Sequence, residues 1–329
     1  MEYRMLGKSG IEVSAVCMGC WAIVGDQTWG RQNESDAVEA IEASVDAGVT
    51  FFDTAPAYGD GRSEEMLGRV LKPHRENAVI ATKLSSGEMR RDDAIAACET
   101  SLRRLQTGHI DLYQIHWPDH GVPFDETAGA LRTLLDQGKI RAIGVSNFGP
   151  IDLRDFLGVC RAETNQVSYS LLFRAAEFDL LPLCVERGVG LLCHSPLAEA
   201  MLTGKFSCAD DVPEGRARTR LFSKDRPQSR HSEEGAEPEA FAALGRVRQA
   251  AERLGRPMAQ VALAWLLHQD GVASVIAGAR NARQALENAA AADIELPDGL
   301  IEELAAATDA VKQKLGPNLD LWQTDSRAR

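Results

Sequence analysis

The sequence predicts an α/β protein: a (β/α)8 TIM barrel with an N-terminal β-hairpin and a long loop after the seventh barrel strand. Three observations predict it. Short apolar runs alternate with segments of helical periodicity along most of the chain. The runs are nearly continuously apolar, as strands buried on both faces must be. There are eight of them, enough to close a parallel sheet on itself.

The chain opens with "MEYRMLGKSGIEVSAV", which has hairpin chemistry: Lys8-Ser9-Gly10 separate two short strand-like runs. Its expected place is the lower end of the barrel. Barrel strands are predicted at 13–19, 50–53, 78–83, 110–117, 142–146, 165–168, 189–195 and 272–277. Helices are predicted at 36–46, 63–71, 92–105, 124–137, 151–157, 177–186, 238–254, 258–269 and 282–290. In the first of these, Ala37, Ile41, Ser44 and Val45 share one face, opposite Asp36, Glu39, Glu42 and Asp46. Gly48, Gly108, Gly138, Gly188, Gly255 and Gly271 stand where glycine suits the left-handed position that ends a helix. The competing doubly wound fold requires G-x-G-x-x-G between an early strand and a helix. The nearest approach, "GVGLLC" at Gly188–Cys193, lies inside a strand. Residues 206–237 are polar and rich in Pro and Gly, which reads as a lid or as disorder. Residues 313–329 form a C-terminal tail. No interdomain linker is visible, so residues 1–329 are expected to form one domain.

The 329 residues are 44% hydrophobic and 26% charged, enough for a large core. With 36 basic and 48 acidic residues the formal charge is −12. Such a chain is a poor ligand for nucleic acid or an anionic membrane, and an anionic cofactor needs a local basic pocket. The seven scattered cysteines fit reduced thiols in a cytoplasm better than a disulfide framework. Cys17 and Cys20 have no second pair near them and read as small buried side chains. The N-terminus lacks a signal-peptide core, and no run of 18 apolar residues appears.

In a parallel barrel the reactive side chains stand at the C-terminal ends of the strands. Strand two ends at Asp53, with Tyr58 in the turn "APAYG" beyond it. Strand three ends at Lys83 and strand four at His116. Ser146-Asn147, Asn165-Gln166, His194-Ser195 and Gly278-Ala279-Arg280 stand at the strands that follow. One acid, one tyrosine, one lysine and one histidine thus meet on a single rim. This set suits proton transfer to a carbonyl oxygen. Free tyrosine, with a pKa near 10, is sluggish at neutral pH, and an adjacent ammonium lowers that pKa. Lys83 is placed to supply the ammonium, and Asp53 to keep the buried lysine charged. His116 is placed to orient the carbonyl. No metal is expected: Pro118 between His116 and His120 breaks the helix that would align them. A serine hydrolase is poorly supported, for G-x-S-x-G is absent and Ser195 lacks a visible acid–base chain.

The motifs "GVTFFDTAPAYGDGRSEEMLG", "VIATK", "DLYQIHWPD", "GKIRAIGVSNF", "NQVSYSLL", "SPL…LTGKF" and "VIAGARNARQALEN" occur in this order. Together they resemble the aldo-keto reductases, from Tyr3 to about Asp293. The pattern is most similar to the bacterial short-loop branch of inositol and sugar catabolism, and shares features with potassium-channel β subunits. The resemblance implies a catalytic tetrad of Tyr58, Lys83, Asp53 and His116, with Tyr58 the general acid. It implies NADPH or NADP+ in preference to NADH. It places Gly19, Cys20, Trp21 and Asp53 among the cofactor contacts, Ser146, Asn147 and Gln166 at the nicotinamide carboxamide, and His194 against the nicotinamide. Ser195, Leu197 and Lys205 then line the pyrophosphate, and Gly278, Arg280, Gln284, Glu287 and Asn288 surround the adenosine. Arg280 is the candidate partner of the 2′-phosphate. One residue departs from the pattern: His194 stands where the family usually stacks a larger aromatic on the nicotinamide.

The implied activity is reversible reduction of an aldehyde or ketone to an alcohol. The substrate would be a small aldehyde or a keto-sugar or polyol derivative. Its pocket would include Trp21, Trp29, Tyr58, His116 and Trp117. The rival is an NADP(H)-binding regulatory subunit that senses redox state with little turnover. A monomer or small homo-oligomer is expected. The tail, with Trp322, either folds over the pocket or frays.

Overall fold

The computed structural model describes residues 1–329. An antiparallel hairpin of β1 (Tyr3–Met5) and β2 (Glu12–Ser14) precedes the barrel. There follow β3 (Val16–Gly19), α1 (Glu34–Asp46), β4 (Phe51–Asp53), α2 (Arg62–Leu71), β5 (Val79–Leu84) and α3 (Arg91–Leu105). The middle of the chain forms β6 (Ile110–Ile115), α4 (Phe124–Asp136), β7 (Ile140–Ser146), α5 (Pro150–Val159), β8 (Thr164–Ser168) and α6 (Leu180–Arg187). The last part forms β9 (Gly190–His194), α7 (Glu237–Leu254), α8 (Met258–Leu267), β10 (Val272–Gly278), α9 (Ala282–Ala289) and α10 (Leu300–Leu315). Strands β3 to β10 pair in parallel and in chain order, and β10 closes the barrel on β3.

All eight predicted barrel strands are present, but the first is divided. Ser14 explains the division. Its Oγ accepts from the Thr50 and Phe51 amides and donates to the Val16 carbonyl, replacing ladder bonds where the chain leaves the hairpin and enters the barrel. The stop after α3 also differs from expectation: Gln106, not Gly108, takes the left-handed conformation (φ 52°), and its amide bonds back to Leu102 and Arg103.

The barrel interior changes character with height because strand side chains alternate. Leu6, Ile11 and Val13 of the hairpin plug the lower end against Cys17, Phe51, Ala81 and Leu112. Two residues farther along each strand, Phe51 gives way to Asp53, Ala81 to Lys83 and Leu112 to Gln114. The alternate residues, such as Phe52, Ile80 and Tyr113, point outward and join the large core beneath the helices.

Helix α10 is absent from the predicted elements, and it takes residues 313–315 from the predicted tail. It buries Leu300, Leu304, Ala307, Val311 and Leu315. Ion pairs Lys314–Glu239 and Arg253–Glu303 join it to α7. Beyond it the tail does not fray. Fully buried Asp320 accepts from the Trp322 and Gln323 amides and from the Arg327 guanidinium. The Arg329 carbonyl then accepts from the Ile151 and Asp152 amides at the start of α5. Residues 206–237 are ordered as well: Arg220, 2% exposed, donates to the Leu315, Asn318 and Asp320 carbonyls and to Glu233. No helix is long and apolar enough to cross a membrane.

Candidate active site

At the C-terminal end of β5 the Lys83 ammonium is fully buried. Its Nζ donates to Asp53 Oδ1 at 2.6 Å, to the Thr54 carbonyl at 2.8 Å and to Tyr58 Oη at 3.3 Å. Asp53 is fixed from its other side, for Oδ2 accepts from Gln114 Nε2 at 3.1 Å and Gln166 Nε2 at 2.8 Å. A carboxylate so held is preorganised beside its cation. Burial pulls the Lys83 pKa down, but Asp53 and then Tyr58 outweigh it, so the net shift is upward and the lysine stays charged.

Tyr58 is half-buried at the edge of a cavity of about 1520 Å³. The charge argument from sequence expects Lys83 to lower its pKa. The net shift is upward instead: desolvation outweighs the Lys83 ammonium, and Asp53 opposes ionisation as well. The phenol is therefore neutral and hydrogen-bonded, in the state from which an acid donates. His116 meets it edge-on, with ring centroids 6.1 Å apart, and neither imidazole nitrogen has a protein partner. Burial, then the Lys83 charge, holds the His116 pKa well below its usual range, so the ring is neutral. His120 does not join it; it pairs with Asp152 at 2.9 Å. Among all side chains no group of three or more His, Cys, Asp or Glu could hold a metal ion.

Of the residues singled out at the strand ends and by the resemblance, all line this one cavity except Lys83, which lies behind Asp53 and Tyr58, and the buried Asn165 and Ala279. Gly19, Cys20, Trp21, Ser146, Asn147 and Gln166 are among its lining residues. Asn147 (φ 58°) donates through Nδ2 to the His116 carbonyl and Ser146 Oγ, which leaves Oδ1 to accept from His194 Nε2 at 3.1 Å. Burial, then Lys83, pushes the His194 pKa down to about 3, against an opposing pull from Asp320. The ring is thus uncharged at neutral pH. Trp322 stacks on it at 5.8 Å and 11°, and meets Trp117 at 6.1 Å. Trp21 stacks on Tyr58 at 5.8 Å and 17°, and Trp29 meets Trp21 edge-on at 5.6 Å.

The lining continues through Ser195, Leu197, Lys205, Gly278, Gln284, Glu287 and Asn288, with Arg216 and Arg280. Burial, then Arg216 and Arg280, pulls the Lys205 pKa down, the mark of cations gathered without a full set of acids. Glu287 pairs with Arg283, and Asn288 donates to the Gly278 carbonyl. The Arg280 guanidinium is already engaged within the protein. It donates to Gln32 Oε1 at 2.7 Å, to the Trp29 carbonyl at 2.8 Å and to the Arg31 carbonyl.

Several residues that line the pocket or support it escaped the sequence reading. Gln114 was legible, being two residues before His116 on one strand and so on the same face. Asp26, Glu199, Arg216, Arg327 and Trp322's anchor Asp320 come from irregular segments, where no periodicity marks the face. Glu199 Oε2, Trp29 Nε1 and Arg216 Nε are buried and have no partner.

Comparison with known proteins places the chain. The model of the "Aldo/keto reductase family" matches residues 15–309. The Aldo-keto reductase YhdN of Bacillus subtilis is 36% identical over 300 residues, which cover 86% of each chain. The NADH-specific methylglyoxal reductase of Escherichia coli is 32% identical, over 94% of this chain and 100% of its own. The structure of an aldo-keto reductase from Klebsiella pneumoniae in complex with NADPH superposes with a TM-score of 0.73 at 30% identity, covering 96% of both chains. The chain belongs to the aldo/keto reductase family.

Proposed function

We propose that the protein catalyses the reversible reduction of an aldehyde or ketone to an alcohol, with NADPH preferred over NADH and Tyr58 as the general acid. One observation carries this reading: the buried Lys83 ammonium bonded at once to Asp53 and to the Tyr58 hydroxyl on the cavity wall. The residues fit a dinucleotide. Three buried polar atoms, one acceptor and two donors, lack partners within the protein, as a polar ligand would supply. The gathered cations Lys205, Arg216 and Arg280 suit its phosphates.

When bound, the cofactor supplies the hydride to the carbonyl carbon. Ser146, Asn147 and Gln166 would hold its carboxamide, and the neutral His194 ring would face the nicotinamide without adding a charge. Lys205 and Arg216 would meet the pyrophosphate. Arg280 would meet the 2′-phosphate through the second N–H that each Nη retains. His116, neutral and without a protein partner, would donate to the carbonyl oxygen and orient it. Tyr58 would then give that oxygen its proton, while Lys83, held charged by Asp53, stabilises the phenolate left behind. In the reverse direction the Tyr58 phenolate takes the alcohol proton. Trp21, Trp29, Trp117 and Trp322 would enclose the substrate, a small aldehyde such as methylglyoxal or a keto-sugar. The free thiols suit a reducing cytoplasm.

The test follows absorbance of the reduced nicotinamide across small aldehydes, keto-sugars and aromatic ketones. Tyr58→Phe should lower kcat by ~10²–10⁴-fold. NADPH affinity, read by fluorescence titration, should be unchanged in that variant. Full activity in Tyr58→Phe would sink the mechanism. A single turnover of bound NADPH with no steady-state rate would favour the redox-sensing reading instead.

A further inference from the structure

The segment 25–32 crosses the cavity from the substrate side to the cofactor's adenosine end, and it is tied at both ends. At the first end Asp26 organises it. Asp26 Oδ1 accepts from the Thr28 and Trp29 amides, both at 2.8 Å, and its carbonyl accepts from the Gly30 amide at 2.7 Å. Its other carboxylate oxygen accepts from Trp21 Nε1 at 2.8 Å. Trp21 is the ring stacked on Tyr58. At the second end one guanidinium does the work. Arg280 donates to the Trp29 and Arg31 carbonyls and to Gln32 Oε1. The Gln32 amide returns the bond, Nε2 donating to the Arg280 carbonyl at 2.7 Å. No other side chain donates to the carbonyls of Trp29 and Arg31.

This inference rests on the carbonyl-reductase reading above and extends it to the coupling of its two ends. We propose that Arg280 is a positioning residue for the substrate pocket: it braces segment 25–32 so that Trp29 and Trp21 hold their places against Tyr58, and thereby ties the adenosine end of the site to the reacting end. The physical route is short and continuous. The guanidinium holds the Trp29 carbonyl, the Trp29 ring meets Trp21 at 5.6 Å, and Trp21 lies on Tyr58. A planar guanidinium is suited to this, because it presents donors in fixed directions to several acceptors at once. A lysine in its place keeps the charge for a phosphate and loses the fork.

A residue that only reads a 2′-phosphate is silent when the cofactor is NADH, which has none. A brace is not. The experiment therefore compares wild type, Arg280→Met, Arg280→Lys and Gln32→Ala with both cofactors. For Arg280→Met with NADH, the carbonyl KM should rise about five- to tenfold while kcat stays within about twofold, the signature of lost substrate positioning. Arg280→Lys should recover NADPH affinity, measured by fluorescence titration, without recovering the KM. Gln32→Ala should raise the KM with both cofactors and leave both affinities unchanged. Hydrogen exchange of the protein without cofactor gives a readout independent of activity. The amides of Thr28, Trp29 and Gly30 should exchange faster in Arg280→Met and in Gln32→Ala. Unchanged NADH-supported KM together with unchanged exchange at these amides would overturn the proposal, whatever happens to NADPH affinity. Absence of carbonyl reduction in wild type would fail the functional reading instead, and the exchange arm would still decide whether the brace exists.

Discussion

Replacing Asp53 by leucine should cost the protein a large part of its stability. The Lys83 ammonium has no exposure, so without Asp53 it becomes an uncompensated buried cation. Removing one partner of such a pair costs about 3–5 kcal/mol. The Gln114 and Gln166 amides lose their acceptor in the same step. Set against a typical stability of about 5–15 kcal/mol, the loss should be plain in urea denaturation. The double variant Asp53→Leu/Lys83→Met removes both charges and should be more stable than Asp53→Leu alone. Its coupling energy in a double-mutant cycle should therefore be large. The pair also sets a pH signature. Because the folded pKa of Lys83 is raised, its contribution is complete below the ordinary lysine value, about 10.4, and is lost as pH climbs through the folded value. A loss under about 1 kcal/mol in Asp53→Leu, or a double variant no more stable than that single one, would refute the reasoning.

Three further outcomes are expected. In the native protein a thiol reagent should find one reactive cysteine, Cys208, and seven after denaturation, because the other six are buried. Gly68→Ala should destabilise the protein by about 1–3 kcal/mol in the same urea assay. Its new Cβ would lie 2.4 Å from the Leu105 carbonyl oxygen, a backbone atom that cannot step aside. His116 and His194 are held neutral in the fold, so the unfolded chain binds more protons below about pH 6.5. The Tm should fall as the solution is acidified through that point, and His194→Phe should fall less steeply than wild type.

The barrel was legible because its strands are strings of apolar residues between glycine stops, a pattern set by burial on two faces. The polar rim was legible for the same reason, since Asp53, Lys83 and His116 interrupt those strings at one end. What escaped was non-local. Nothing in "NLDLWQTDSRAR" tells that Asp320 collects three neighbours and swings Trp322 onto His194. Arg280 stood out as a charge, but its acceptors lie some 250 positions away in sequence, on carbonyls that every residue has. Helix α10 is a different case. Its apolar residues repeat at helical spacing from Leu300 to Leu315, and the signal was present but unread. The tyrosine pKa went the other way from expectation because proximity to a cation can be seen in a motif, whereas desolvation depends on the whole enclosure.

The turn after β9 has its own consequence. Ser195, Ala198, Glu199 and Ala200 all lie in the left-handed region, with φ of 49°, 47°, 53° and 73°, and none is glycine. Each such residue costs about 1–2 kcal/mol relative to a relaxed backbone. The barrel around the turn must hold it there, like a clasp kept bent. Selection for heat tolerance alone should therefore find glycine at Ala200 early. Selection for turnover should resist any change that lets the Ser195–Glu199 contact drift. With Ser195 lining the cofactor as proposed, the same few residues would mark where the fitness of this chain as a fold and its fitness as a catalyst part company.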